Sequence, residues 1–471
     1  MTARSHACER RCPRWRTGAR RRTSFRRPDL RVAAVALAVG LVLADASVVI
    51  LALPAIYREY SAQVADVAWV VTAFNLAIAL AAVPAARMAT RRPAGQVCAA
   101  GLVLFAAASA ACALAPSLGF LIAARAVQGI GGAAAVCAAL ELLPGLAGGE
   151  RRAVRVWAAA GIAGAALGPA IGGLLTQLIS WQAIFVVQVP LALIPALVVF
   201  GRGAPAVAGR AGLPNIAANL ALGLLSAGLA AVLFLLVLLL VEGWRMPPIS
   251  AALVVTAMPA AALVAGPFER RVASPRTRAA AGTLLGTGGV AALGLLPGAG
   301  WGWTLAPQLL VGAGLALSLG ALTEAAVAGR SPAAIHGGVT IAARHAGVVL
   351  GLVLLTPVFV GDLERQRERA TQKGAELVLD AHIDALTKID LASRIAADIR
   401  SQPGRLPDIH GSFAAVNASD RERPQLQVLE RQLNEQLDRA ATSSFERSFL
   451  FAAVLAALAL IPIALTRRVT L

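Results

Sequence analysis

Uninterrupted apolar runs of about 20 residues, the length that crosses a bilayer, recur along this chain from residue 31 to residue 466. They lie at 31–53, 67–87, 95–115, 118–143, 153–176 and 183–200, then at 214–241, 249–266, 279–297, 303–328, 334–358 and 446–466. Backbone inside lipid has no water to bond with, so each run is expected to be a helix that satisfies its own N–H and C=O groups. Composition points the same way. With 58% hydrophobic and 14% charged residues and a mean hydropathy of +0.71, too little charge remains to cover a water-facing surface. The expectation is an all-α integral membrane protein with about twelve transmembrane helices in two six-helix bundles.

A net charge of +18 would suggest nucleic acid as a partner of a soluble protein. Here the arginines sit at span ends, where they act as topology signals, and no nucleic-acid partner is expected. With residues 1–30 inside the cell, Arg87, Arg91 and Arg92, then Arg151, Arg152 and Arg155, then Arg270, Arg271, Arg276 and Arg278 fall in cytoplasmic loops. Short outer loops carry only Arg58 and Arg245. This asymmetry implies an even number of spans with both termini cytoplasmic, and the expected location is the plasma (cell inner) membrane.

The chain then divides into an Arg-rich cytoplasmic tail (1–30), an N-terminal bundle (31–200), a linker (201–213), spans seven to eleven (214–360), a polar insertion (361–445) and the last span with its tail (446–471). The tail lacks the apolar run and cleavage site of a secretory signal. The insertion is placed outside the cell by topology. Leu379, Ile383, Leu386, Ile389, Ile395 and Ile399 recur in it at near-helical intervals up to Pro403, Gly404 and Pro407. A second seam runs through Leu426, Leu429, Leu433 and Leu437. A hairpin packed on itself and a docking site for a protein partner both fit this pattern.

Two features inside the spans stand out. Gly161, Gly164, Gly168, Gly172 and Gly173 recur three to four residues apart, which bares one helix face for close approach of a neighbour. Pro169 on the same helix frees a carbonyl that other protein must satisfy. Charges inside spans are the second feature, because each costs about 2.5–3.5 kcal/mol at mid-bilayer. Asp45 on span one and Arg125 on span four fall at similar depth, about 10–13 Å from the outer surface at 1.5 Å per residue. Burial favours a neutral carboxyl and a nearby guanidinium favours a charged one, so moving Arg125 relative to Asp45 would toggle proton affinity. A static buried ion pair is the plainer alternative. Gln128 lies one turn from Arg125, on the same face. Glu324, Arg344 and His345 are candidates for a gate, through a Glu324–Arg344 contact. Glu141 lies near the cytoplasmic end of span four, within reach of the interface.

Four segments together resemble one family. They are Leu43-Ala-Asp45 with Ala52-Leu53-Pro54; Arg125-x-x-Gln128-Gly129-x-Gly131-Gly132-Ala133; Gly164-x-x-x-Gly168-Pro169-x-x-Gly172-Gly173; and Trp181-x-x-x-Phe185 with Pro190-Leu191. In order and spacing they resemble the motifs of the major facilitator superfamily, in its drug:proton antiporter branch. The resemblance covers roughly residues 31–200. It implies a transporter that exports small amphipathic molecules or drugs against protons, with Arg125 at the proton-transfer step, Asp45 as its partner and Gly168-Pro169 in the antiporter motif. The family's loop between spans two and three normally carries an acid, and Thr90 stands in its place; Gln182 stands where an Arg usually follows Trp181. These departures favour a second reading, a transport-inactive membrane scaffold or sensor acting through its outer loop.

Enzymatic chemistry is not expected. There is no GxxxxGK[ST] phosphate loop, and the five cysteines form no metal or disulfide pattern. No cofactor and no metal are implied. The expected partners are a small-molecule substrate, protons and the lipid bilayer.

Overall fold

The computed structural model describes residues 30–201, 212–266, 274–295, 300–401, 409–416, 419 and 422–465. The Arg-rich tail before Leu30, residues 202–211 of the expected linker, and Pro403, Gly404 and Pro407 lie outside the described residues. The N-terminal half holds α1 (Leu30–Glu59), α2 (Val64–Arg91), α3 (Ala94–Ala113), α4 (Leu118–Ala147), α5 (Glu150–Leu178) and α6 (Gln182–Val199). The C-terminal half holds α7 (Ile216–Gly243), α8 (Pro248–Ala265), α9 (Pro275–Leu295), α10 (Trp301–Val327) and α11 (Ala333–Asp380). It continues through α12 (Ala385–Ser401) and the short α13 (His410–Ala414) to α14 (Arg423–Leu465).

Helix ends follow local chemistry. The Ser117 hydroxyl accepts from Phe120 N–H at the start of α4, and Asn215 accepts from Ala218 N–H at the start of α7. Gly148 ends α4 in the left-handed conformation, at φ +76°. Eleven of the described helices are long and apolar enough to cross a membrane. The expected ninth span is α9, 21 residues long. Its glycines and threonines lower its apolarity, and the same glycines let it lie close on α10. A Cβ on Gly282 would lie 2.5 Å from the Gly314 carbonyl, and a Cβ on Gly314 equally close to the Gly282 carbonyl.

Each half repeats this device. In the N-terminal half Gly101 of α3 and Gly131 of α4 meet the same way, each Cβ position 2.7 Å from the other's carbonyl. Gly164 of α5 seats on Gly40 of α1, while Gly347 and Gly351 of α11 seat on Gly223 and Ala227 of α7. The halves meet along α2 with α11 and along α5 with α8. Two ends result, here called the Arg-rich end and the hairpin end. At the hairpin end one apolar cluster crosses between the halves, from Leu51, Ile56 and Phe185 to Leu235, Leu239 and Phe449.

The insertion forms a helical hairpin with its own core of Val378, Ile383, Leu391, Ile409, Phe413, Leu426, Leu429 and Leu433. The seam through Leu426, Leu429 and Leu433 is therefore buried within it. The long periodic stretch is two helices rather than one. Its chain turns between Asp380 and Ala385, where Glu422 accepts from Asp384 N–H at 2.8 Å, and Leu379, Leu386 and Ile389 stay exposed.

Candidate functional site

Five helices of the N-terminal half converge on a closed polar ring. Arg125 (α4) donates through Nη1 to Asp45 (α1) and, at 2.6 Å, to Gln128 Oε1. Gln128 Nε2 donates to Gln188 Oε1 (α6) and to Ser109 Oγ (α3), both at 2.8 Å. Gln188 Nε2 closes the circuit on the second oxygen of Asp45, at 2.5 Å. Arg125 Nε also donates to the Val70 carbonyl of α2, at 3.1 Å. Asp45, Arg125 and Gln128 are fully buried. The guanidinium carbon lies 4.2 Å from the centre of the Phe74 ring and 5.7 Å from that of Phe185, so the buried cation is within reach of two π-faces. Its Nη2 alone has no hydrogen-bond partner.

The spacing of Arg125 and Gln128, one helical turn apart, brings them together, as their positions in the sequence imply. Ser109 and Phe74 carry no such signal: the Ser109 hydroxyl bonds the Phe105 carbonyl of its own helix at 2.8 Å, and a phenyl ring is at home in lipid. Gln188 does carry one, since an amide inside an apolar span must find hydrogen-bond partners, but it belongs to no spacing motif and was not singled out. Gly129 and Gly131 hold the helix bearing Arg125 in place. A Cβ on Gly129 would lie 2.5 Å from the Phe74 carbonyl, and one on Gly131 2.7 Å from Gly101.

The glycine face of α5 does the same for the helix bearing Asp45. Cβ atoms on Gly164, Gly168 and Gly172 would strike the backbone or side chains of Gly40, Ser47 and Val48 in turn. Pro169 cannot donate to the Ala165 carbonyl one turn earlier. The Ser47 hydroxyl of α1 donates to that carbonyl at 3.1 Å, shared with its own Ala44 carbonyl at 2.9 Å. Gly173 faces elsewhere. It lets α5 lie against Pro248 and Ala252 of α8, across the two halves.

The residues considered for a gate separate. His345 Nδ1 lies 2.7 Å from Asn75 Oδ1 of α2, so it bridges the halves. Glu324 is exposed at the Arg-rich end and has no ion pair with Arg344 among the described residues. Arg344 is half-buried beside Leu43, Trp157 and Thr323. A further contact between halves was not legible beforehand: Glu141 accepts from Ala334 N–H at 2.9 Å, capping the first turn of α11. Thr90, standing where an acid was expected, donates instead to the Arg87 carbonyl of its own helix.

At the same end a cavity of about 690 Å³ opens between α5, α8, α9 and α10. At the hairpin end Arg58 and Glu242 pair at 3.5 Å, and Ile249 N–H donates to Gln177 Oε1 at 2.7 Å. Among the described residues, contacts join the halves at the hairpin end beside α5 and α8, and a cavity lies between the halves at the Arg-rich end. No group of His, Cys, Asp and Glu suited to a metal ion occurs among the described residues.

Proteins similar to this chain include resistance and efflux proteins by sequence and a transporter homologue by fold. The chain is 36% identical over 172 residues to the "Tetracenomycin C resistance and export protein" of Streptomyces glaucescens, covering 36% of this chain and 31% of that one. It is 35% identical over 226 residues to the "Methylenomycin A resistance protein" of Bacillus subtilis, covering 46% and 47%. It is 34% identical over 177 residues to the "Multidrug efflux pump LfrA" of Mycolicibacterium smegmatis, covering 37% and 35%. The matched stretches span between about a third and a half of those relatives. By fold, the chain resembles a bacterial homologue of the human lysosomal transporter Spinster in an inward-facing, unoccupied conformation. That likeness has a TM-score of 0.58 and 15% identity, over 92% of this chain and 97% of the other. The Major Facilitator Superfamily profile matches residues 35–357. With that match, this all-helical membrane architecture and this spread of relatives, the chain belongs to the major facilitator superfamily.

Proposed function

We propose that this protein exports small amphipathic molecules across the plasma membrane, driven by protons moving inward, with Asp45 and Arg125 as the coupling pair. The Arg-rich end faces the cytoplasm in this reading, as the loop arginines require, and the hairpin lies outside. The cavity is then the loading state, open to the cytoplasm, with the outer side shut. Export proceeds as the two halves rock about a central site.

The observation that carries the reading is the closed ring. A proton on Asp45 removes the charge that holds Arg125 and turns one oxygen from acceptor to donor. Gln188 and Gln128 must then re-form their bonds, and through them α3 and α6 feel the change. Arg125 keeps its contacts with the Phe74 and Phe185 rings, with Nη2 free to take a new partner. Each proton crossing a 100 mV potential supplies about 2.3 kcal/mol. Coupling needs proton and substrate to favour opposite states of the two halves.

The test begins with growth of cells with and without the gene across toxic compounds. The compound whose tolerance rises is then followed in everted membrane vesicles. Accumulation that needs a proton gradient, and that Asp45→Asn abolishes, is the expected result. Equal accumulation by the Asn variant would defeat the coupling role.

A further inference from the structure

The cavity at the Arg-rich end carries a charge imbalance that topology does not explain. Arg151 and Arg155 of α5 are exposed at its mouth, where a loop signal would place them. Arg278 of α9 is different: it lines the same cavity with 8% of its surface exposed, and its Nε has no hydrogen-bond partner. A narrow recess shares Ala158, Ile162 and Thr323 with the cavity and ends at Arg344, which has no hydrogen bond or ion pair among the described residues. Among the described residues, Glu324 is the one carboxylate lining the cavity with Arg151, Arg155 and Arg278, and none lines the recess at Arg344. Apart from Thr323, the rest of the described wall is alanine, valine, leucine, isoleucine and glycine.

A buried cation without a partner is costly, and an apolar wall around it strengthens its pull on an anion. A guanidinium also presents paired N–H groups that match a carboxylate or sulfonate. A volume of this size suits a drug-sized ligand. We infer that the transported molecule is an amphipathic anion, whose acidic group is drawn through the cavity to Arg278 and Arg344 while its apolar body lies on the Ala158–Ile162 wall. This rests on the export reading and names its substrate class. One consequence is electrical. An anion leaving the cell is pushed out by the interior-negative potential, so its export carries charge with or without a pH gradient.

The test uses everted vesicles containing the full chain and two probes of matched shape, pyrenebutanesulfonate and pyrenebutyltrimethylammonium. Binding to the purified full chain is read separately, by energy transfer from tryptophan to pyrene, since Trp157 borders the recess. The sulfonate is expected to bind saturably and to accumulate at least about ten-fold over vesicles lacking the protein. Arg278→Gln and Arg344→Gln should each weaken its binding about ten-fold, and Arg278→Lys should restore part of it. Absence of saturable sulfonate binding, or sulfonate binding unchanged in both Gln variants, would overturn the inference. So would pumping of the cation alone, which leaves the export reading intact. Arg-dependent sulfonate binding without transport of either probe would uphold the anion site and sink export instead.

Discussion

The two halves share a packing plan and part company in how they hold charge. Gly164 of α5 on Gly40 of α1 has its counterpart in Gly347 of α11 on Gly223 of α7. Gly101 against Gly131 is matched by Gly282 against Gly314. Carrying that register along the helices sets Asp45 opposite Gly228 and Arg125 opposite Gln308. In the N-terminal half those places hold a bonded ion pair. In the C-terminal half Gly228 serves close packing against α14, and Gln308 keeps one bond, to Thr304 at 3.1 Å, with its Oε1 unpartnered. The C-terminal half instead turns Arg278 and Arg344 toward a cavity. Backbone packing of the two repeats can stay alike because it depends on small residues, while the polar positions diverge into a paired set and an unpaired set.

Removing one member of the ring should break this contrast most sharply. Arg125→Leu leaves the Asp45 carboxylate buried without its cation, a loss of about 3–5 kcal/mol. Gln308→Leu at the matching place gives up a single bond and an unpartnered oxygen, and should stay within about 1 kcal/mol. Thermal unfolding in detergent reads both. Equal losses would mean that the halves do not differ as described. The shared plan is tested next by Gly164→Val and Gly347→Val. Each forces apart a helix pair in direct backbone contact and should cost about 1–3 kcal/mol or more. A large loss at one and none at the other would end the equivalence of the repeats.

A smaller effect concerns the proline. Ser47→Ala strips the hydroxyl from the Ala165 carbonyl that Pro169 leaves unbonded, at about 1 kcal/mol. Once Pro169→Ala restores a donor on the same helix, the Ser47 change should cost much less. A double-mutant cycle with no interaction would refute that pairing.

The smallest expected effect lies in the hairpin, which neither repeat contains. Hydrogen bonds from the Ser419 hydroxyl and from the Asp384 and Ser419 N–H groups pull the Glu422 carboxyl down from 4.5 to about 2. A lowered folded value means the stabilisation is complete above about pH 4.5 and fades as pH falls toward 2. The protection of amides around Asp384, taken relative to their intrinsic exchange rate at each pH, should therefore fall across that window, and Glu422→Gln should remove the dependence. Protection that does not change between those values would contradict the assignment.

Much of this was legible in the residues. Apolar length placed the spans, and charges in apolar runs marked Asp45 and Arg125, because such charges are too costly to be incidental. The glycines of α5 were readable from their spacing against a motif-bearing background. The matching glycines of α7, α9, α10 and α11 were not, since 44 glycines in an alanine-rich chain give little contrast. Ser109 was hidden because its hydroxyl can bond the Phe105 carbonyl of its own helix, whereas Gln188, an amide that must find partners in an apolar span, was readable and went unused because it stands in no motif. Helical periodicity ran through Leu379, Ile383, Leu386 and Ile389, and hid the turn between α11 and α12. Nor could spacing show that Glu324 lines the cavity while Arg344 ends the recess beside it.

The central claim is that the N-terminal ring takes up and releases a proton on Asp45. Infrared difference spectra of the full chain in lipid, recorded as pH is lowered, read that event as the carbonyl stretch of a newly protonated carboxylic acid. The account predicts such a band, shifted by Gln188→Leu and missing in Asp45→Asn. The same band at full strength in Asp45→Asn would contradict it.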